Sequence, residues 1–147
     1  MMRFVSRTTA ALSALLLLCL LLVGGTLAAM TDQQLVDTRV AAMKQNGQIL
    51  RGAKRLKGDE AVKAATTVLK NFQSFPGLFR EGSITPDSRA TPKIWENWAD
   101  FTKRMKAEEA SAKAMLDAAK AGKTDAYEAA IAKLTSRCSS CHLTYGR

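Results

Sequence analysis

The chain has 147 residues, of which 47% are hydrophobic and 24% charged, and its formal net charge is +9 at pH 7. This length indicates one small domain rather than several. A basic chain favours either nucleic acid or acidic protein and membrane surfaces as partners, but no nucleic-acid recognition motif is present. The simpler alternative is a solvated surface with an excess of lysine.

The first 29 residues have the three parts of a secretory signal peptide. Arg3 and Arg7 form a basic start, residues 10–23 are uncharged and mostly apolar, and mostly small residues follow. We predict cleavage after Ala28 or Ala29 and export to the periplasm. An uncleaved membrane anchor is the alternative, but the apolar run is shorter than the roughly 18–20 residues that span a bilayer.

Residues 30–147 are the predicted mature domain. Removal of Arg3 and Arg7 takes the net charge from +9 to +7, and Cys19 leaves with the signal peptide. The remaining basic charge favours acidic protein partners or anionic membrane surfaces. Cys138 and Cys141 are then the two cysteines of the mature chain.

Hydrophobic periodicity in this domain predicts four α-helices, and we find no strand alternation. Thr31 and Gln34 form a capping box at the first start, and Thr91 followed by Pro92 marks the third. A loop rich in Gly, Ser and Pro covers residues 76–90. The predicted helices cover residues 31–54, 58–74, 91–122 and 124–145.

Each predicted helix has one apolar stripe for the core. Glu108 and Glu109 interrupt the stripe of the third helix, for which the pattern gives no reason. The predicted inward residues are Val36, Val40, Met43, Gly47, Leu50, Val62, Ala65, Val68, Leu69, Phe72, Ile94, Trp98, Phe101, Met105, Ala112, Met115 or Leu116, Tyr127, Ile131, Leu134, Cys138, His142 and Tyr145.

The fourth helix ends in a C-x-x-C-H motif, Cys138 to His142, which is the attachment signature of c-type haem. Two thiols three residues apart on one helical face can each form a thioether with a haem vinyl group. The next residue then presents an imidazole as axial ligand of the iron. His142 is the only histidine in the sequence.

Other functions of this motif are disfavoured. A structural zinc site needs four ligands, and the tail offers only Cys138, Cys141 and His142. A thioredoxin-like pair needs a βαβ context, and cysteines three apart on a helix are poorly placed for a disulfide. The motif therefore predicts one covalent haem c.

Four amphipathic helices with short links predict an all-α fold, an antiparallel four-helix bundle with covalently bound haem. A core of this size is marginal by itself, so haem would supply a large apolar body for the four stripes to pack on.

The sequence resembles the class II c-type cytochromes, which include cytochrome c-prime and carry C-x-x-C-H near the C-terminus of a four-helix bundle. Besides this motif, the resemblance covers residues 35–39 with Met43, residues 75–79 with Gly82-Ser83, and residues 92–95 leading to Phe101. One departure is Gly146, which separates Tyr145 from the basic Arg147 and weakens any expected interaction of that base with the haem edge.

The resemblance implies two alternative functions that differ at the iron. In one branch a methionine of the first helix is the sixth ligand of a low-spin electron carrier, and Met43 stands at the matching position. In the cytochrome c-prime branch the iron stays five-coordinate and binds NO or CO, with Met43 only packing the distal face. Residues 44–47 look more like the low-spin branch, so we favour His142 and Met43 as metal ligands.

Arg39 lies one turn before Met43 on the same face and is a candidate for the cofactor site. Alternatively, it is a surface residue with its stem laid along the bundle. The sequence contains no second histidine for a peroxidase's distal acid–base chemistry, so we do not expect an enzyme. Trp95 and Trp98 are expected to be core and helix contacts rather than an electron path. Many relatives dimerise through their first two helices, and the sequence leaves open whether this chain forms such a homodimer.

Overall fold

The structure is a computed structural model and describes residues 30–147. The predicted signal peptide, its cleavage site and Cys19 lie outside the described residues. Among the helices of residues 30–147, none is long and apolar enough to cross a membrane. Within the described residues, Asp32–Arg147 form one compact unit.

Five α-helices form within the described part of the chain, and four of them are long. The long helices correspond to the four predicted ones, and two short 3-10 turns, Ala53–Arg55 and Phe75–Leu78, follow the first two. The helices are α1 (Asp32–Gly52), α2 (Gly58–Ser74), α3 (Lys93–Glu96), α4 (Trp98–Lys120) and α5 (Thr124–Tyr145).

The helices pack as a four-helix bundle. Both α2 and α5 pack along α4, whereas α1 packs on α2 and on the turn Phe75–Leu78. The links from α1 to α2 and from α4 to α5 are short, so consecutive long helices run antiparallel. The predicted all-α bundle is confirmed.

The predicted third helix is wrong in one respect, because Asn97 divides it into α3 and α4. Asn97 has a non-helical backbone (φ −124°, ψ 40°), and its Nδ2 donates to the carbonyl of Lys93 at 3.2 Å. Such a local side-chain bond competes with helix continuation. The indole of Trp95 also donates to the carbonyl of Phe79 at 3.0 Å, which holds α3 against the preceding loop.

Most predicted inward residues are buried, for example Phe72, Phe101 and Leu134. The exceptions are Val40, Met43, Gly47, Val62, Leu69 and Cys138, which are half-buried, and Trp98 and His142, which are exposed. Two polar residues of α1, Arg39 and Asn46, are buried instead. Several exceptions are therefore the residues that the sequence assigned to a cofactor.

Candidate haem-binding site

The C-x-x-C-H segment lies in the last two turns of α5. At 3.6 residues per turn, the three motif side chains leave the helix within a sector of about 100°. Cys138 and Cys141 are free, half-buried thiols, and His142 is exposed. The motif therefore presents two thiols and an imidazole together on one side of α5.

Both thiols are kept neutral by their surroundings. Burial raises the pKa of Cys138, and the carboxylate of Glu108 acts in the same direction. Burial also raises the pKa of Cys141, although Arg104 opposes this. A neutral thiol in partly apolar surroundings suits attachment to an apolar ring better than it suits metal binding as a thiolate.

The side of α4 that packs on α5 carries charged residues near these thiols. The hydroxyl of Tyr145 donates to Oδ2 of Asp100 at 2.7 Å, and Nε of Arg104 donates to the same oxygen at 2.6 Å. The hydrogen bond from Tyr145 is the main cause that lowers the pKa of Asp100, and that from Arg104 is the next. These bonds join the end of α5 to the first turns of α4.

Aromatic contacts connect α1 with the same end of α5. The guanidinium of Arg39 lies 4.6 Å from the ring centroid of Phe79. Phe79 contacts Phe101 edge-on at 4.8 Å between centroids, and Phe101 contacts Tyr145 at 5.4 Å. Arg39 of α1 and Tyr145 of α5 are thus linked through the rings of Phe79 and Phe101.

Arg39 is buried, with 3% of its surface exposed. It donates hydrogen bonds to the carbonyl of Leu78 at 3.0 Å and to Oγ of Ser83 at 2.9 Å. It also donates to the carbonyl of Ser83 at 2.6 Å and to Oγ of Ser88 at 3.0 Å. The alternative of a surface arginine is therefore wrong, because the side chain holds the loop between α2 and α3.

Met43 follows Arg39 by one turn of α1, about 6 Å further along the helix axis. Its side chain is half-buried, as are Val40 and Gly47 on the same stripe. This part of α1 therefore has apolar surface that the protein covers only in part.

Gly146 explains the departure at the C-terminus. It ends α5 and forms an isolated antiparallel bridge with Ala90, and a Cβ at this position would lie 2.6 Å from the carbonyl oxygen of His142. The chain therefore needs glycine here. Arg147 is directed to the loop, where its Nη2 donates to the carbonyl of Ser88 at 2.7 Å.

The sequence model of the cytochrome c' family matches residues 29–146. The chain belongs to the cytochrome c' family. A cytochrome c-556 of Agrobacterium tumefaciens (strain II Chrys) is 40% identical over 121 residues, which cover 75% of this chain and 94% of that protein.

Two solved structures share the fold. Cytochrome c prime from Shewanella frigidimarina superposes with a TM-score of 0.71 at 25% identity, covering 80% of this chain and 97% of that one. A ferrous variant of cytochrome c prime from Alcaligenes xylosoxidans with bound NO has a TM-score of 0.70 at 20% identity, covering 80% of this chain and 96% of that one.

Membership of the cytochrome c' family makes this chain a mono-haem c-type cytochrome with covalent haem c. The described residues fit this cofactor, since α5 supplies two free thiols followed at once by an exposed imidazole. Val40 and Met43 of α1 and Val62 and Leu69 of α2 are half-buried, so they have apolar surface that residues 30–147 cover only in part.

Sequence reasoning missed several residues that support this site. The hydroxyls of Ser83 and Ser88 hold Arg39, and Asp100 holds Tyr145. Ser83 belongs to the family resemblance, but the sequence assigns it no role. In the sequence Glu108 only interrupts the apolar stripe of the third helix, and this charged residue at an inward position was the signal that could have identified it.

Proposed function

We propose that this cytochrome c' family member is a periplasmic electron carrier. Cys138 and Cys141 would hold haem c through thioether bonds, and His142 and Met43 would bind its iron. The observation that carries the proposal is the end of α5, where two free thiols and the sequence's only histidine lie on one helical side.

Haem c, once attached, supplies a one-electron couple between ferric and ferrous iron. The protein's part is to hold this group rigidly. Arg39 fixes the loop between α2 and α3, and Tyr145 ties the end of α5 to Asp100. Bound in such a rigid frame, an electron carrier changes little in shape between its two oxidation states.

Met43 is proposed as the sixth ligand because of its position and its chemistry. It is a half-buried residue on the predicted inward stripe of α1. A thioether is a soft, neutral ligand that raises the reduction potential in cytochromes with Met/His ligation. Ligation by Met43 would also exclude gas molecules from the iron, which suits electron transfer without bond formation to a substrate.

The charge of the chain suggests its partners. A net charge of +7 after removal of residues 1–29 favours redox proteins with acidic surfaces through long-range attraction. Exposed cations are concentrated at the end of α1 and just beyond it, at Arg51, Lys54, Arg55 and Lys57. Export to the periplasm rests on the predicted signal peptide, and the sequence leaves dimerisation through α1 and α2 open. We do not propose an enzyme, since the sequence has no second histidine for acid–base catalysis.

The second candidate function is binding of NO or CO by five-coordinate iron, with Met43 as a packing residue. The observation that favours it is a related fold, the Alcaligenes xylosoxidans cytochrome c prime with bound NO. The two candidates make opposite predictions for the access of a small molecule to the iron.

Visible spectra of the oxidised and reduced holoprotein, with and without CO, distinguish them. We expect sharp low-spin bands that CO does not change. Met43→Leu conserves volume but lacks the sulfur, so it should give a high-spin spectrum and bind CO. Val40→Ala is the matched control on the same half-buried stripe and should stay low-spin. High-spin bands and ready CO binding in the unmodified protein would support gas binding instead.

A further inference from the structure

Glu108 is a carboxyl group placed within the apolar stripe of α4. Only 8% of its surface is exposed. Met105, three residues earlier, and Ala112, four residues later, lie on the same side of the helix and are buried. Burying a carboxylate in such surroundings is unfavourable unless it finds partners.

The carboxyl group of Glu108 has too few hydrogen-bond partners to offset its burial. Its Oε2 is buried and has no hydrogen-bond partner among residues 30–147. Arg137 is the nearby cation, but its Nη1 donates to the carbonyl of Ala107 at 3.1 Å and to Oγ of Ser111 at 3.0 Å. Burial raises the pKa of Glu108 to about 7, and Arg137 reduces this effect only in part.

The carboxyl lies near the haem-attachment turn, because Arg137, the residue before Cys138, bonds to Ala107 and Ser111 on either side of Glu108. From α4, Glu108 acts on both Cys138 and Cys141 of α5 and raises the pKa of each thiol. Arg137 is the charged group of α5 that acts on Glu108. The group is therefore both unsatisfied and close to where haem c is to be attached.

Other charged groups around Glu108 are engaged elsewhere. On α4 itself, Arg104 is paired with Asp100 at 2.6 Å. From α2, Gln73 donates to Glu109 at 3.3 Å, and no ionisable group of α2 within the described residues shifts the pKa of Glu108. Among the described residues, Glu108 is therefore the carboxyl that has a buried oxygen without a hydrogen-bond partner.

We propose that Glu108 is the residue that couples electron transfer to proton uptake and thereby sets the reduction potential of the protein. This proposal rests on the attachment of haem c at Cys138 and Cys141 proposed above. Buried polar and ionisable groups beside haem are among the means by which a protein tunes its potential.

The coupled step is balanced in charge and atoms. The oxidised protein, with Glu108 as carboxylate, takes one electron from an external one-electron donor protein and one proton from water. The products are the reduced protein with Glu108 as carboxylic acid, and hydroxide in the solvent; the only new bond in the protein is the O–H bond on Glu108. Reduction removes a positive charge near the carboxylate, so its proton affinity rises.

The reduction potential should therefore fall as pH rises through the range in which Glu108 titrates. The limiting slope is about 59 mV per pH unit, the one-electron equivalent of a tenfold change in proton concentration. We would measure it by spectroelectrochemical titration of the holoprotein between about pH 5 and about pH 9, which brackets a carboxyl shifted upward by burial.

Glu108→Gln replaces the carboxyl by a neutral amide of the same size. Its potential should be independent of pH in this range and equal to the potential of the unmodified protein at the acid end. Glu109→Gln is the matched control, since Glu109 is a neighbouring carboxyl bonded to Gln73, and it should keep the full slope.

A pH-independent potential in the unmodified protein, or an undiminished slope in Glu108→Gln, would overturn the proposal. In the latter case the proton goes to another group, such as a haem propionate. An infrared difference spectrum (reduced minus oxidised) of the unmodified holoprotein gives a second test that needs no variant. It should gain the C=O stretch of a protonated carboxylic acid near neutral pH, and the absence of this band would also overturn the proposal.

Haem staining after denaturing electrophoresis separates this proposal from the one on which it rests. Covalent haem with an undiminished slope in Glu108→Gln contradicts the role of Glu108 alone. Haem that is lost on denaturation contradicts the proposed attachment, and with it the coupling.

Discussion

Two charged residues, Arg39 on α1 and Glu108 on α4, are buried in this bundle to a similar degree, with 3% and 8% of their surfaces exposed. Arg39 makes four hydrogen bonds to the loop between α2 and α3. Glu108 has an oxygen that finds no partner within residues 30–147. The hydrogen-bond partners of a buried charged group, more than its burial, decide whether it stays charged and stabilises the fold or changes its protonation state.

The physical difference lies in what each group would lose by becoming neutral. Burial lowers the pKa of Arg39, but a guanidinium stays protonated in proteins, and all of its hydrogen bonds here use it as a donor. Glu108 loses no hydrogen bond at Oε2 when it takes a proton. Arg39 is therefore fixed in one state, whereas Glu108 has two accessible states near neutral pH.

The largest effect is expected from Arg39→Ala. It removes four hydrogen bonds and leaves buried acceptors at Ser83 and Ser88 without their donor, so the holoprotein should lose about 3–5 kcal/mol of unfolding free energy. Denaturant unfolding of the holoprotein measures this. Arg80→Ala is the control, because Arg80 is an exposed arginine paired with Asp32 at 2.6 Å, and it should cost at most about 1 kcal/mol. Equal losses of unfolding free energy in the two variants would show that the buried hydrogen bonds of Arg39 do not stabilise the fold more than an exposed ion pair does.

Glu108→Gln should raise the unfolding free energy relative to the unmodified protein. This gain should grow with pH and be smaller than the loss expected for Arg39→Ala. The pKa of Glu108 is about 7 in the folded protein against an ordinary value of 4.5, so the folded state binds more protons between these values. Stability should therefore fall as pH rises from about 4.5 to about 7, by up to about 3 kcal/mol, and then level off. Unfolding free energies measured across this range should show the decline in the unmodified protein and in Glu109→Gln, but not in Glu108→Gln. An unchanged decline in Glu108→Gln would show that another group titrates.

The smallest effect is expected from Tyr145→Phe, which keeps the ring contact with Phe101 but removes the hydroxyl bonded to Asp100. The pKa of Asp100 is held below its ordinary value chiefly by this bond, so it should rise in the variant. Carboxyl NMR titration of the reduced holoprotein measures it. Any stability lost should be present above the ordinary carboxyl pKa and vanish as the pH falls through the pKa of Asp100. An unchanged pKa would mean that Arg104 alone determines the charge state of Asp100.

The long elements of this fold were predictable because they depend on local signals. The first helix was predicted for residues 31–54, and α1 with its 3-10 turn covers residues 32–55. The break at Asn97 was not predictable from periodicity, since it depends on a side-chain bond to Lys93 and on the contact of Trp95 with Phe79. Propensity alone did not distinguish this asparagine from a helical one.

The haem-attachment motif could be predicted from the sequence because all of its residues lie within one short segment, from Cys138 to His142. The roles of Arg39 and Glu108 depend on distant residues. The partners of Arg39 lie 39–49 residues away in the chain. The proposed role of Glu108 depends on its proximity to α5, which packs beside α4. The sequence could mark both positions as exceptional, but only the tertiary packing distinguishes a charge with partners from a charge without them.

The attachment of haem c to Cys138 and Cys141 is the claim on which the electron-carrier function and the role of Glu108 both depend. The most direct measurement is the mass of the denatured mature holoprotein, followed by mapping of its haem-bearing peptide. We predict the mass of the polypeptide plus one haem, with both thioethers on the peptide that contains Cys138 and Cys141, and no retained haem when both are replaced by serine. A denatured polypeptide without haem, or haem mapped to another residue, would contradict the account.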